Sequence, residues 1–115
     1  MKRGDVYWAD LMPRSGSEQS GRRPVVVLSH DGFNQTLGWR SIIVVPISSS
    51  SSQGKRGPTV IDISSGTAGL PKTSFAVCHQ VTTLDRAKLT KRLGSLPTEP
   101  LREIEEGLKA AMDLD

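Results

Sequence analysis

The stretch Ser15–Ser29 reads SGSEQSGRRPVVVLS and passes from a polar loop, through two arginines and a proline, into an apolar run. The run Val25–Leu28 is largely β-branched and does not alternate, which predicts a strand buried on both faces. Pro24 fixes the backbone at the entry to this strand and offers no backbone donor there. A polar loop therefore meets the rigid core at the two arginines, and such junctions commonly carry function.

The two arginines, Arg22 and Arg23, are adjacent in the sequence. Adjacent residues of a strand point to opposite faces, so at most one of them is expected to enter a shared site. We predict that Arg23, which the proline anchors directly, is that residue. The alternative is a surface hairpin whose arginines are solvated or paired with a carboxylate.

Short apolar runs separated by Gly- and Pro-containing turns continue along the chain and predict further strands. These strands are expected at residues 3–11, 40–47, 59–63, 74–81 and 89–96. Thr82–Asp85 is expected to lead into a turn. The tract Ser48–Pro58, SSSSSQGKRGP, is too polar to order itself by burial and is predicted to be a mobile loop.

The last part of the chain has the period of a helix. Thr98 is the expected N-cap, and Leu101, Ile104, Leu108 and Ala111 fall on one stripe. Short strands followed by one amphipathic helix predict a mainly β fold, a small closed sheet or barrel with a C-terminal helix.

Length and composition point to one domain spanning residues 1–115. The single cysteine, Cys78, excludes an internal disulfide and is typical of a reducing cytoplasm. The sequence has neither an apolar run long enough for a membrane helix nor a signal-peptide pattern, so a cytoplasmic protein is expected. Residues 1–92 carry a net charge of +7 and residues 93–115 a net charge of −4. A basic body of this kind favours an anionic partner, with nucleic acid as the usual one.

The residue patterns of common enzyme sites are missing from the sequence. Cys78 and His79 lack the paired spacing of a zinc site, and neither a P-loop nor a dinucleotide fingerprint occurs. The polar residues that remain as candidates suit a phosphate-bearing substrate. Arg23 can bind a phosphate in a bidentate manner, and Ser48 can donate a hydroxyl at the end of the third strand. Glu18 offers an acceptor and Gln19 an amide that reads base edges.

Several of these stretches resemble the MazF/PemK family of toxin endoribonucleases. They are Arg3–Trp8, Gly16–Val27, Val44–Ser48 and Gln80–Leu89, which follow the family in collinear order over essentially the whole chain. The resemblance implies an SH3-like barrel that forms a homodimer and cuts single-stranded RNA, chiefly mRNA, at a short preferred sequence without a metal or other cofactor. It also implies attack by the 2′-hydroxyl, leaving a 2′,3′-cyclic phosphate and a 5′-hydroxyl.

The resemblance assigns catalysis to Arg23 and to Ser48, where many members carry threonine. Some members have a histidine where Ser17 stands here, and Val77 and His79 replace an arginine and an aspartate. The base that removes the 2′-hydroxyl proton is therefore open between Glu18 and His79. Arginine holds its proton too tightly for that task.

Candidate RNA-binding residues lie in the two long loops and beside the catalytic candidates. They are Ser17, Gln19, Arg22, Lys55, Arg56 and Gln80. Phe33 and Trp39 are candidates for stacking on a base. The expected partner besides RNA is a small antitoxin with an acidic disordered segment. The alternatives are a gyrase-poisoning toxin of similar fold and a non-catalytic RNA-binding module.

Overall fold

The structure, a computed structural model, describes residues 1–11, 16, 21–55 and 57–115. Four sequence-predicted site residues, Ser17, Glu18, Gln19 and Arg56, lie outside the described residues, as does the side chain of Lys55. In the described part of the chain, no helix is long and apolar enough to cross a membrane.

Seven strands and two helices follow one another along the chain. The strands are β1 (Asp5–Asp10), β2 (Arg22–Val27), β3 (Ser41–Ser48), β4 (Val60–Ile63), β5 (Ser74–Val77), β6 (Thr82–Asp85) and β7 (Leu89–Ser95). The helices are α1 (Asp31–Asn34) and α2 (Thr98–Met112). Short 3₁₀ turns occupy Ser51–Lys55, Thr67–Gly69, Cys78–Gln80 and Arg86–Lys88.

The strands form one antiparallel sheet in the order β4-β5-β3-β2-β1-β7, and β6 pairs with the first half of β3. This confirms the prediction of a mainly β, barrel-like fold with a C-terminal helix. The strand path differs from the expected closed barrel in one respect. Within the described residues, no ladder joins β4 to β7, so the sheet remains open between its two end strands.

Strand β2 is covered on both faces, as its non-alternating sequence predicts. Val26 packs with Ile47 and Ile104 in one apolar cluster, on the side of α2. Val25 and Val27 pack with residues of β1, β3 and β6 in a second cluster on the opposite face. All three valines are fully buried, so β2 lies between two cores and holds the arginines at its start in a fixed position.

The strand predicted at 74–81 is shorter than expected. It ends at Val77, and Cys78–Gln80 form a 3₁₀ turn before β6. Thr82–Asp85, for which no strand was predicted, forms β6, and the turn expected after it is the 3₁₀ turn Arg86–Lys88. The physical reason lies in β3, which is long enough to pair with two strands in succession. Its end pairs with β5 and its beginning with β6, and the 3₁₀ turn shifts the chain from one to the other.

The predicted N-cap of α2 is wrong, whereas its predicted apolar face is right. Pro97, not Thr98, is the residue that precedes α2, and its side chain makes no capping hydrogen bond. The predicted apolar stripe of α2 is confirmed, because Ile104 is buried and Leu101 and Leu108 pack against the same cluster. Gly107 is buried as well, where the helix lies against Cys78.

The tract Ser48–Pro58, predicted as a loop, contains the 3₁₀ turn Ser51–Lys55. The side chain of Gln53 in that turn is buried, at 8% exposure. The turn packs on β5, where a Cβ added at Gly54 would lie 3.1 Å from the ring of Phe75.

Candidate functional site

Arg23 lies near the start of β2 and Ser48 at the end of β3, two strands that pair with each other. Val25 pairs with Pro46 and Val26 with Val45, so the same register continued by two residues sets Arg23 against Ser48. Arg23 is exposed, whereas Ser48 is only 3% exposed. The strand period places both on the face of the second cluster, with Val25 and Val44. The pair predicted from sequence is therefore brought to one face of the sheet.

The hydroxyl of Ser48 still has its proton to donate. Its Oγ accepts a hydrogen bond from the backbone N–H of Ser50 at 3.1 Å. A hydroxyl that accepts in this way retains its proton for a further acceptor, such as a phosphate oxygen. Its position at the end of β3 is also fixed from the other side, because Ser48 pairs with Phe75 of β5.

Arg22 takes the opposite face of β2, as adjacent strand residues must. Its guanidinium carbon lies 4.8 Å from the centroid of the Trp8 ring, a cation–π contact. Trp8 pairs with Pro24 across β1 and β2, so its ring is held beside the start of β2. The aromatic ring thus fixes the direction of a long, exposed cationic side chain.

A groove of about 290 Å³ opens at this end of the sheet, and we call it the Trp8 groove. Its lining residues come from β1, β2, β3, β5, β7 and the segment before β5. They are Trp8, Arg22, Arg23, Pro24, Ile47, Ser49, Leu70, Pro71, Lys72, Ser74 and Leu93. Arg22 and Lys72 supply cationic side chains, Arg23 borders the groove although strand alternation assigns its side chain to the opposite face of β2, and none of the described lining residues is acidic. The groove is therefore suited to an anionic ligand.

Sequence reasoning missed the residues that complete this groove. Trp8 shares one face of β1 with Val6, and nothing in this two-residue period marks it for binding. Lys72 and Ser74 have no local pattern that marks them, because the β3–β5 register brings them beside the end of β3 from about 25 residues away. The hydroxyl of Ser74 donates to the backbone carbonyl of Lys72 at 2.8 Å, and the residue is 4% exposed.

His79, the second candidate base, lies beyond the end of β5 and contacts Thr59. His79 lies in the 3₁₀ turn after β5, four residues beyond Phe75, the strand partner of Ser48. Its side chain is exposed, and its Nδ1 lies 2.8 Å from Oγ1 of Thr59. Gln80 ends the same turn. The catalytic role of His79 and the RNA contact of Gln80 stay predictions.

Two further groups are separated from the site. Phe33 and Trp39 are 46% and 40% exposed and stack on each other, with centroids 4.6 Å apart. Trp39 donates its ring N–H to the carbonyl of Ser41, the first residue of β3. Ser48 ends the same strand, about 23 Å away at a rise of about 3.3 Å per residue. These two aromatic rings therefore lie remote from the Trp8 groove.

Nucleophilic and metal chemistry have little support among the described residues. Cys78 is buried beneath α2, and this burial raises the pKa of its thiol to about 12, which keeps it protonated at neutral pH. In the part of the chain that the structure describes, no group of three or more His, Cys, Asp or Glu residues is placed to hold a metal ion.

Comparisons with known proteins agree with one another over nearly the whole chain. A family model described as a PemK-like, MazF-like toxin of type II toxin–antitoxin systems matches residues 2–112. Endoribonuclease EndoA of Bacillus subtilis is 33% identical, covering 99% of this chain and 96% of its own length.

The fold is also similar to that of solved structures. MazF of Deinococcus radiodurans superposes with a TM-score of 0.82 at 24% identity, covering 99% of this chain and 97% of that one. A mycobacterial endoribonuclease in complex with its cognate antitoxin superposes with a TM-score of 0.75 at 20% identity, covering 100% and 95%.

Proposed function

Because the chain belongs to the PemK-like, MazF-like family of type II toxin–antitoxin toxins, we propose that it is an endoribonuclease that cuts single-stranded RNA at a preferred sequence. The relative EndoA, which bears the name endoribonuclease, supports this proposal over almost the full chain length. The structural observation that supports it is the register of β2 and β3, which, continued two residues beyond the pair Val25 and Pro46, sets Arg23 against Ser48. We expect mRNA to be the main substrate and growth arrest to be the consequence.

The proposed reaction is an internal transfer at one phosphate. The 2′-hydroxyl oxygen bonds to phosphorus, the bond from phosphorus to the 5′-oxygen breaks, and the products are a 2′,3′-cyclic phosphate and a 5′-hydroxyl. Negative charge grows on the phosphoryl oxygens as the new bond forms. The planar guanidinium of Arg23 and the hydroxyl of Ser48 are proposed to donate to those oxygens, which stabilises the transition state without a metal ion.

Two proton transfers complete this reaction. A base takes the proton of the 2′-hydroxyl, and an acid supplies one to the leaving 5′-oxygen. Glu18 is proposed as the base, since its loop leads directly into β2 and the arginines. His79 is the alternative, and its position beyond the end of β5 makes it the less direct one.

The proposed partners follow from charge and from the solved relatives. A mycobacterial endoribonuclease is known in complex with its cognate antitoxin. We expect this chain to bind an antitoxin whose acidic disordered segment lies on the basic body of residues 1–92, and to work as a cytoplasmic homodimer. RNA and the antitoxin are then expected to compete for overlapping basic surfaces.

The test is incubation of purified, antitoxin-free protein with a long single-stranded RNA in EDTA, followed by mapping of the fragment ends. Wild type is expected to give discrete cuts with cyclic-phosphate ends. Arg23→Ala is expected to lower the cleavage rate by about 10²–10³-fold, the usual cost of removing one donor to a developing oxyanion. Arg102→Ala, which removes an exposed arginine of α2 paired with Glu99, is the matched control and should cut normally.

Three results would overturn the proposal. Intact RNA from a folded wild-type protein would exclude cleavage and favour a gyrase-poisoning toxin. Tight RNA binding without cleavage would indicate a binding module. Cleavage by Arg23→Ala at the wild-type rate would remove Arg23 from the chemistry.

A further inference from the structure

The hydroxyl of Ser48 is linked to the turn Ser51–Lys55 by two successive hydrogen bonds. The backbone N–H of Ser50 donates to Oγ of Ser48 at 3.1 Å. The carbonyl of Ser50 accepts from the backbone N–H of Gln53, also at 3.1 Å. Because this contact occupies one side of Oγ, it restricts the directions in which the hydroxyl can donate its own proton. The position of the turn therefore affects the direction of that donor.

The same turn is held against the sheet beside Ser48. It packs on β4 and β5, and a Cβ added at Gly54 would lie 3.1 Å from Cε1 of Phe75. Phe75 is also the residue of β5 that pairs with Ser48 in β3. The turn and the hydroxyl are thus held at neighbouring points of one strand pair. A shift of the turn on the ring of Phe75 would move Ser50, and with it the N–H that contacts Ser48.

Gln53 supplies the buried side chain of this turn. It is 8% exposed, whereas its neighbours Ser51, Ser52 and Gly54 are exposed. Its Oε1 is buried and accepts no hydrogen bond from the described residues. A buried carbonyl without a donor adds no bond that could orient the turn, and its burial costs free energy. The side chain therefore anchors the turn by the space that it fills and not through its amide oxygen.

We propose that Gln53 is a positioning residue for the cleavage reaction, which holds Ser50, and through Ser50 the hydroxyl of Ser48, in the orientation from which that hydroxyl donates. Gln53 itself does not touch the RNA. A donor stabilises developing charge only from the correct position, and a displacement of about 1 Å can cost about 10²-fold in rate. This inference rests on the proposed RNA-cleaving function and on the role of Ser48 in it.

The first test is a double-mutant cycle, measured as kcat and KM for an RNA that the wild type cuts in EDTA. Gln53→Ala empties the buried site and is expected to lower kcat by about 10–10²-fold, the effect of a misplaced donor. KM should not change, because the affected interaction forms only in the transition state. Ser48→Ala is expected to lower kcat by about 10²–10³-fold. In the Ser48→Ala background, Gln53→Ala should change kcat by less than about 2-fold, because the hydroxyl that it positions is gone.

The second test separates the volume of the side chain from its amide. Methionine has the same unbranched stem as glutamine and fills a similar space without an amide group. Gln53→Met is therefore expected to retain the wild-type kcat and KM. Gln35→Ala, which removes an exposed glutamine at the end of α1, is the matched control and should cut normally. Thermal unfolding of each variant establishes that it is folded at the temperature of the assay.

The outcomes separate the role of Gln53 from the function. If the wild type does not cut RNA, the proposed function fails and the positioning role fails with it. If the wild type cuts and Ser48→Ala cuts equally fast, the hydroxyl is not used and Gln53 has nothing to position. If Ser48→Ala is slow but Gln53→Ala is not, or if the two substitutions lower kcat independently, the positioning role alone is refuted. A raised KM or a lowered kcat in Gln53→Met would mean that the amide itself acts, which would also overturn the proposal.

Discussion

The close contact between Gly107 of α2 and Cys78 predicts how a substitution at Gly107 changes the stability of the fold. Gly107 lies in the interior of α2, where replacement of glycine by alanine ordinarily stabilises a helix by about 0.8–1 kcal/mol. Here an added Cβ would lie 2.7 Å from Sγ of Cys78 and 3.3 Å from Cγ1 of Ile61. Overpacking of this kind costs about 1–3 kcal/mol. Gly107→Ala is therefore expected to lower the free energy of unfolding by up to about 2 kcal/mol.

Removal of the thiol should reverse this effect. In a Cys78→Ala background the space occupied by Sγ is empty, so the methyl group of Gly107→Ala fills a cavity and also gains helix propensity. The substitution is then expected to raise the free energy of unfolding by up to about 1 kcal/mol. Urea unfolding of the four proteins measures the coupling energy between the two sites, expected at about 1–3 kcal/mol.

The control for this double-mutant cycle is Ala110→Gly, at an exposed position of the same helix. It should cost about 1 kcal/mol in both backgrounds, since it changes helix propensity without approaching Cys78. Equal stabilisation by Gly107→Ala with and without the thiol would refute the reasoning, because it would mean that α2 and Cys78 do not approach closely at this point.

Two further predictions concern charged groups outside the site. Burial alone would raise the pKa of Asp5, but hydrogen bonds from Ser95 and from the backbone of Lys2, together with Arg92, outweigh burial and leave the pKa lowered. The ionised Asp5 carboxylate therefore stabilises the fold above the ordinary pKa of 3.8, and this stabilisation is lost as the pH falls through the lowered value. Asp5→Asn is expected to be less stable than the wild type at pH 7, and the difference should shrink toward pH 3. Acid titrations followed by circular dichroism measure this difference. Arg86 donates hydrogen bonds to the backbone carbonyls of Phe33 and Trp39. Arg86→Ala is therefore expected to loosen the stacked rings of these two residues and to change the near-ultraviolet circular dichroism spectrum. An unchanged spectrum would contradict this role of Arg86.

The parts of the fold that sequence predicted well are those decided by local pattern. The apolar, β-branched run after Pro24 predicted a strand covered on both sides, and the stripe through Ile104 predicted a helix with one buried face. Thr82–Asp85 was different, since four residues are too few for a periodic signal. Its strand conformation comes from pairing with the first half of β3, a partner about 40 residues away.

The same distinction applies to the candidate site. Arg23 and Ser48 could be predicted because each stands at the end of a recognisable strand and matches a family motif. The Trp8 groove could not, because it exists only once the β2–β3 and β3–β5 registers have been set. Ser74 joins the groove through that register, and no sequence pattern marks its hydrogen bond to the carbonyl of Lys72.

Pro24 accounts for the different positions of the two arginines. A strand slipped by one residue would exchange the faces of Arg22 and Arg23 and would move the valines after them out of their cores. The two buried clusters oppose such a slip, and Pro24 adds to this because it has no backbone N–H to donate and must keep its place opposite Trp8. Arg23 is thereby kept on the face of Ser48, and Arg22 on the ring of Trp8. Two chemically identical side chains are thus held on opposite faces of one strand, and only Arg23 is placed for the role we propose for it beside Ser48.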